Sequence, residues 1–239
     1  MRDHYDRALV YSPSFDTRTS WFPRGWVYHD SYAIYRGGST ATEHPEWILR
    51  DSSGNRLYIP YECSGGTCTQ YAGDIGSSEF RQHIIGEIRA KLNSAAPSGG
   101  YKGVFVDDVN MDFRVGDGNG TSVRPIDPRT GAPMTLADWR RYFAEFMEEI
   151  DRAFPDHEIV HNPHWWTLGE GDPFVERQAK AADYLNFERG VNDAGIVGGT
   201  DKFGYETFLA QAARFNVIFE SGVRSPDEPA LEYGLASYF

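Results

Sequence analysis

The side chains best placed for chemistry are Asp107 and Asp108, which close the segment Gly99-Gly-Tyr-Lys-Gly-Val-Phe-Val-Asp-Asp-Val-Asn110. Two later apolar runs also end in polar groups: His161 and Asn162 follow Glu158-Ile-Val, and Glu188 ends Ala182-Asp-Tyr-Leu-Asn-Phe-Glu. Cleaving a glycosidic bond needs one carboxyl to protonate the leaving oxygen and a second to stabilise or attack the oxocarbenium-like centre. An ionised Asp107 in a polar setting suits the nucleophile, and Glu188, beside negative charge or apolar surface, suits the acid. Asn162 can hold a sugar hydroxyl or orient a carboxylate. The plainer alternative is that Asp107 and Asp108 cap loop amides or form ion pairs. Glu62 and Glu220 end other strand candidates, and either replaces Glu188 if the strand phase differs.

The elements that must position these groups can be read from periodicity. Val104, Phe105 and Val106 are apolar on both alternating faces, as in a parallel strand buried on both sides. Such strands carry their chemistry where they end. Alternation sends Asp107 and Asp108 in opposite directions, so only one is expected in a given cleft. Further strands are expected at residues 8–12, 26–35, 57–62, 158–162, 182–188 and 216–220, with Pro60 marking an edge or an end. Ser77 or Ser78 caps a helix whose Phe80, Ile84, Ile85, Ile88 and Leu92 recur at helical spacing. Thr135 caps another, with Leu136, Trp139, Phe143, Phe146 and Ile150 on one face. Residues 205–215 are also helical. The loop from 114 to 133 is long enough for a lid or cleft wall. Within it Asp117-Gly-Asn-Gly-Thr resembles half of a calcium loop, but it lacks the remaining ligands and reads as a turn. Seven strand signals alternating with helices predict an α/β protein, a (β/α)8 TIM-like barrel filling residues 1–239 as one domain. No eighth strand is evident, so the barrel reads as incomplete.

The formal net charge of −12 opposes binding to nucleic acid. No apolar run is long enough to span a membrane, and the charged first residues show no targeting signal. A monomer without cofactor or bound metal is expected. Aromatic residues make up 15% of the chain, and flat rings both fill cores and stack on sugar faces. Trp165 and Trp166 can form a sugar platform or a rim over the barrel mouth. Tyr28, His29, Asp30 and Tyr32 can line the cleft. His161 and His164 lack a third metal ligand and read as hydrogen-bonding groups. Cys63 and Cys68 are either two thiols or a small disulfide loop, and a disulfide would point to a secreted or cell-surface setting.

The segment Gly-Tyr-Lys-Gly-Val-Phe-Val-Asp-Asp-Val-Asn resembles Gly-Phe-Asp-Gly-Val-x-x-Asp-Asn-Val-Asp of glycoside hydrolase family 114, the endo-α-1,4-polygalactosaminidases. It is similar also to the hypothetical glycosyl hydrolase family 15, whose pattern His44-Pro-Glu-Trp and Arg50-Asp-Ser-Ser-Gly-Asn matches too. The resemblance implies that the nucleophile falls on Asp107, with Asp108 and Asn110 replacing a family Asn and Asp. The family's Asn at the next strand end matches Asn162, and its acid/base Glu matches Glu188. Together these readings predict a retaining glycoside hydrolase acting on a polysaccharide or oligosaccharide, with Asp107 and Glu188 catalytic. Substrate contacts are expected from Asp108, Asn110, His161, Asn162, Trp165, Trp166, Tyr32 and Asp30. One alternative is a carbohydrate-binding barrel without turnover. Another is a hydrolase that holds a divalent metal on Asp107, Asp108 and Asp112.

Overall fold

Strands that are apolar on both faces are satisfied only between two layers, and the chain supplies both. The computed structural model describes residues 6–11, 19–94, 100–164, 171–188, 202–219 and 232. Six strands, β1 (Leu9–Val10), β2 (Trp26–Asp30), β5 (Gly103–Asp107), β6 (Glu158–His161), β7 (Tyr184–Phe187) and β8 (Val217–Phe219), pair in parallel in that order. Helices α2 (Ser78–Leu92), α3 (Leu136–Ala153), α4 (Pro173–Lys180) and α5 (Lys202–Ala212) alternate with the later strands. A smaller antiparallel pair, β3 (Ala33–Tyr35) and β4 (Gln70–Ala72), and the short α1 (Thr40–Glu43) lie between β2 and α2.

The six-stranded sheet is curled. Glu158, at the start of β6, accepts from Arg7 Nε and Nη2 beside β1 (2.8 and 2.7 Å) and from Trp26 Nε1 on β2 (2.8 Å). In a flat sheet β1 and β6 would stand roughly 14 Å apart, three strand spacings. Trp26 also packs 5.9 Å from the Tyr184 ring of β7. The architecture is therefore a curled parallel sheet, an incomplete TIM-like barrel among the described residues. None of the described helices is long and apolar enough to cross a membrane.

Alternation divides the strands between two environments. Val27, Val104, Val106, Ile159, Leu185 and Phe187 join a buried cluster with Ile84 and Ile88 of α2 and with Trp139, Phe143, Phe146 and Ile150 of α3. Each such side chain contributes about 1.5–3 kcal/mol on burial. The opposite parity, carrying Tyr28, Phe105, Asp107 and Asn186, lines the concave side. The caps follow the sequence: Ser77 Oγ accepts from Phe80 N, and Thr135 Oγ1 from Asp138 N. Leu136, expected on the apolar face, is 37% exposed because it occupies the first turn at the helix edge.

Two expectations are corrected. Residues 26–35 do not form one strand but divide into β2 and β3, which lie in different sheets. Residues 57–62 make no strand, because Tyr58 engages Gly116 while its neighbours Leu57 and Ile59 bond to Leu49, Ala72 and Gln70 in an irregular patch. β4, for which the sequence offered no strand signal, pairs with β3 instead. Cys63 and Cys68 are joined in a disulfide. Between them Gly65 and Gly66 both have positive φ, as a two-residue hairpin turn requires. The loop from 114 to 133 is pinned, with Arg129 bonded to Asp74 and Asp127, and Asp117 accepts from Asn119 N and Thr121 N as a turn should.

A Cβ at Gly103 would collide with the Glu158 backbone of the neighbouring strand. Gly103→Ala is therefore expected to lower stability by about 1–3 kcal/mol, the usual range for overpacking, measured by urea unfolding. An unchanged midpoint would show that β5 and β6 are spaced more widely than described.

Candidate active site

The parallel register brings the ends of β2 and β5 side by side, with Asp30 opposite Asp107. Asp107 is the last residue of β5. Its Oδ1 accepts from Asp108 N and from Asn162 Nδ2, both at 2.8 Å, and its Oδ2 from Tyr28 Oη at 2.5 Å. The Asn162 carbonyl oxygen accepts from Asn186 Nδ2 at 3.0 Å, which turns the Asn162 NH2 toward the carboxylates. That NH2 also donates to Glu188 Oε2 at 3.2 Å. Asp107 and Glu188 thus share one carboxamide donor.

Asp108 departs from the expected alternation. Its φ of +55° is left-handed, and the turn sends its carboxylate into the same cleft as Asp107. Arg114 Nη1 (2.7 Å) and Asn110 Nδ2 (3.1 Å) bond to Asp108 Oδ1. Burial, and then the negative charge of Asp107, push Asp108 up to about 7 against the pull of Arg114. Burial likewise raises Asp30, opposed by bonds from Tyr35 and Tyr28. Tyr28 is raised by burial and by the charges of Asp107 and Asp30.

These groups line a cleft of about 770 Å³ at the strand ends, with Tyr11, Tyr35, Tyr61, Glu62, Thr69, Gln70 and Arg114 on its walls. A second hollow of about 400 Å³ shares Tyr28, Asp107 and Glu188 and reaches Phe105, Asn162 and Asn186. The arrangement offers two carboxyl groups facing one volume, with phenols and amides around them. That is the equipment for acid–base and nucleophilic work on a polar ligand.

Of the residues named from sequence, the structure brings together Asp30, Asp107, Asp108, Asn162 and Glu188. Three stand elsewhere. His161 has the opposite strand parity, so it lies fully buried under α4, with Nδ1 2.8 Å from Gln178 Nε2 and burial holding it near 3. Tyr32 is buried behind the cleft, edge-on to Trp139 and Phe143, and donates to Arg114 O. Asn110 is buried as well and braces Asp108 and Tyr32. Trp165, Trp166 and Glu220 lie outside the described residues. Asp112 turns away to Arg140, which also holds Asp172, so it does not join Asp107 and Asp108. Among the described residues no group of three or more His, Cys, Asp or Glu is arranged to hold a metal.

Sequence reasoning passed over Asn186, Tyr35, Tyr61 and Arg114. Asn186 was within reach, since it stands two residues before Glu188 and shares its face. The other three come from loops and the small sheet, where no periodicity marks them.

No protein-family model and no curated protein matches the chain. Among solved structures, an α-galactosidase from Thermus thermophilus aligns with 90% of this chain and 42% of its own, at 14% identity and TM-score 0.51. A cycloisomaltooligosaccharide glucanotransferase from Paenibacillus sp. aligns with 82% and 26%, at 16% identity and TM-score 0.53. The glycoside hydrolase domain of PelA from Pseudomonas aeruginosa covers 81% and 65%, at 14% identity and TM-score 0.46. The chain spans less than half the length of the first two. At such identities the likeness gives the fold, a TIM-like barrel of the kind found in glycoside hydrolases.

The raised Asp108 yields a test of the site's electrostatics. Folding favours its protonated form, so the stability it contributes below the ordinary value of 3.8 is lost as pH rises toward about 7. Relative to Asp108→Asn, which does not titrate, wild-type stability is expected to fall across that window and then level off, as read by urea unfolding. A difference that stays constant with pH would show that Asp108 is not buried as described.

Proposed function

We propose that the chain is a retaining glycoside hydrolase acting as a monomer on a polysaccharide or oligosaccharide, with Asp107 as nucleophile and Glu188 as acid/base. The observation that carries this reading is the shared Asn162 NH2. Asp107 Oδ1 and Glu188 Oε2 are no farther apart than the sum of their 2.8 and 3.2 Å bonds to it, 6.0 Å. Retaining glycosidases hold their carboxyls about 5–5.5 Å apart, whereas inverting ones leave about 6.5–9.5 Å for a water between them.

In this reading Glu188 gives its proton to the glycosidic oxygen while Asp107 attacks the anomeric carbon, forming a glycosyl ester and releasing the aglycone alcohol. Glu188, now a carboxylate, removes a proton from water, and the hydroxide attacks the same carbon and frees Asp107. Asn162 and Tyr28 donate to Asp107 and hold its carboxyl oriented in the cleft. Asp30, Tyr35, Asp108 and Arg114 line the cleft where sugar hydroxyls would bind. Tyr61 is half exposed at its edge, where a ring can stack on a sugar face.

The described cleft walls hold five carboxyl groups, Asp30, Glu62, Asp107, Asp108 and Glu188, against the guanidinium of Arg114. Carboxyl groups form hydrogen bonds with amines as well as hydroxyls, and with the resemblance to family 114 this puts amino-sugar polysaccharides first among substrates.

Reducing-end release from amino-sugar, galactan, arabinan and glucan polymers tests the proposal. Asp107→Asn and Glu188→Gln are each expected to lower turnover by about 100-fold or more while remaining folded. The first product should keep the anomeric configuration of the substrate, as read by NMR, and activity should survive chelation. Inverted product would overturn the retaining mechanism. Binding without release in all three proteins would favour a carbohydrate-binding barrel instead.

A further inference from the structure

The hydroxyl of Tyr28 has one hydrogen and two carboxyl partners. Its Oη lies 2.8 Å from Asp30 Oδ1 and 2.5 Å from Asp107 Oδ2. One phenolic proton satisfies only one of these contacts, so the other needs a proton carried by a carboxyl. The surroundings decide which carboxyl holds it. Asp107 accepts from two N–H donors, Asp108 N and Asn162 Nδ2, which engage its lone pairs and make it the accepting end of the chain. Asp30 is bonded by two phenols, Tyr28 and Tyr35, the latter 2.6 Å from Oδ2, and is only 5% exposed.

We propose that Asp30 is held as a neutral carboxylic acid whose proton, donated to Tyr28 Oη, aims the Tyr28 hydroxyl at Asp107. On the reading of Asp107 as nucleophile, Asp30 and Tyr28 are then positioning residues. Tyr35 donates to Asp30 Oδ2, Asp30 Oδ1–H to Tyr28 Oη, and Tyr28 Oη–H to Asp107 Oδ2, so every contact carries one hydrogen. Burial, which disfavours charge on Asp30, acts in the same direction.

The other ionisable groups that face Asp30 do not supply the missing hydrogen. His29 on β2 directs Nδ1 to the Asp30 backbone oxygen, not to the carboxyl. Lys91 of α2 donates to the backbone oxygen of Tyr28. Asp107 and Asp108 at the end of β5, and Tyr61 on the loop wall, surround it with acids. Arg114, the cation on the cleft wall, is engaged by Asp108.

Infrared difference spectroscopy of the full chain near neutral pH tests this without any substrate. A protonated-carboxyl C=O band that disappears in Asp30→Asn and persists in Asp107→Asn and Asp108→Asn supports the proposal. A band lost in Asp107→Asn instead, or no band assignable to Asp30, overturns it. This readout stands even if the hydrolase reading fails, so the two failures are distinguishable. On any polymer that wild type hydrolyses, Asp30→Asn, isosteric and uncharged, should retain about tenfold more kcat than Asp30→Ala. The acid limb of its kcat/KM profile should stay where wild type has it. Removing an ionised Asp30 would instead move that limb down by on the order of one pH unit, which would refute a neutral Asp30.

Discussion

The Asn162 side chain has one carbonyl oxygen and one NH2 group, and the direction in which it is set governs two carboxylates. Asn186 donates to the oxygen, so the NH2 faces Asp107 and Glu188. Reversed, the amide would present an oxygen to the oxygens of Asp107 and Glu188 and a donor to a donor. Asn162 stands just beyond β6, between β5 and β7, and both its backbone groups are tied to the β5 side: its N–H donates to Val106 O and its C=O accepts from Val109 N. Asn162 is thus placed by the backbone of its own sheet, and its amide limits how far apart the two carboxyls stand. The sheet must curl for this to happen, and the Arg7–Glu158–Trp26 cluster joins the strands across its lower end.

Gathering Asp30, Asp107, Asp108 and Glu188 at one mouth costs electrostatic energy that hydrophobic packing elsewhere must offset. The structure limits that cost in three ways. Arg114 pairs with Asp108, whose ionisation is opposed by burial and by Asp107. N–H donors converge on Asp107. Phenols, which offer hydrogen bonds without positive charge, surround Asp30. Three carboxyls a few ångströms apart therefore meet different surroundings, and groups so differentiated can divide proton-donating and nucleophilic work between them.

Most barrel strands and the helices α2, α3 and α5 were legible because their faces repeat with periods of two and 3.6, whereas α4, a short helix of eight residues, gave no reading. The run from Val104 to Asp107, the caps at Ser77 and Thr135 and the buried face of α3 all follow directly from residue type. His161 does not reach the cleft although it adjoins Asn162, because neighbouring residues of a strand face opposite layers. The walls of the cleft were less legible. Tyr35, Tyr61, Glu62 and Gln70 come from β3, β4 and the disulfide-closed loop, whose pairing is set by long-range contacts such as Tyr58 with Gly116. No local pattern distinguishes such residues from ordinary loop positions.

The backbone marks the same cleft independently of side-chain chemistry. Among the described residues, the non-glycine positions with φ well into the left-handed region are Glu62 and Asp108, and both line this cavity. A side chain in that conformation costs about 1–3 kcal/mol unless its surroundings impose it. At Asp108 the imposition is visible, since its carbonyl accepts from Ser31 Oγ and Asn110 N while the next residue's N–H is held by Asn162. At Glu62 the adjacent Cys63–Cys68 disulfide closes the loop. Glycine at either site would relieve the strain but remove a carboxylate from the cleft. An uncommon backbone conformation retained at two acidic positions of one cavity is a compromise made in favour of where those carboxylates point. It falls on the same rim as Asp107, Glu188 and the amide they share.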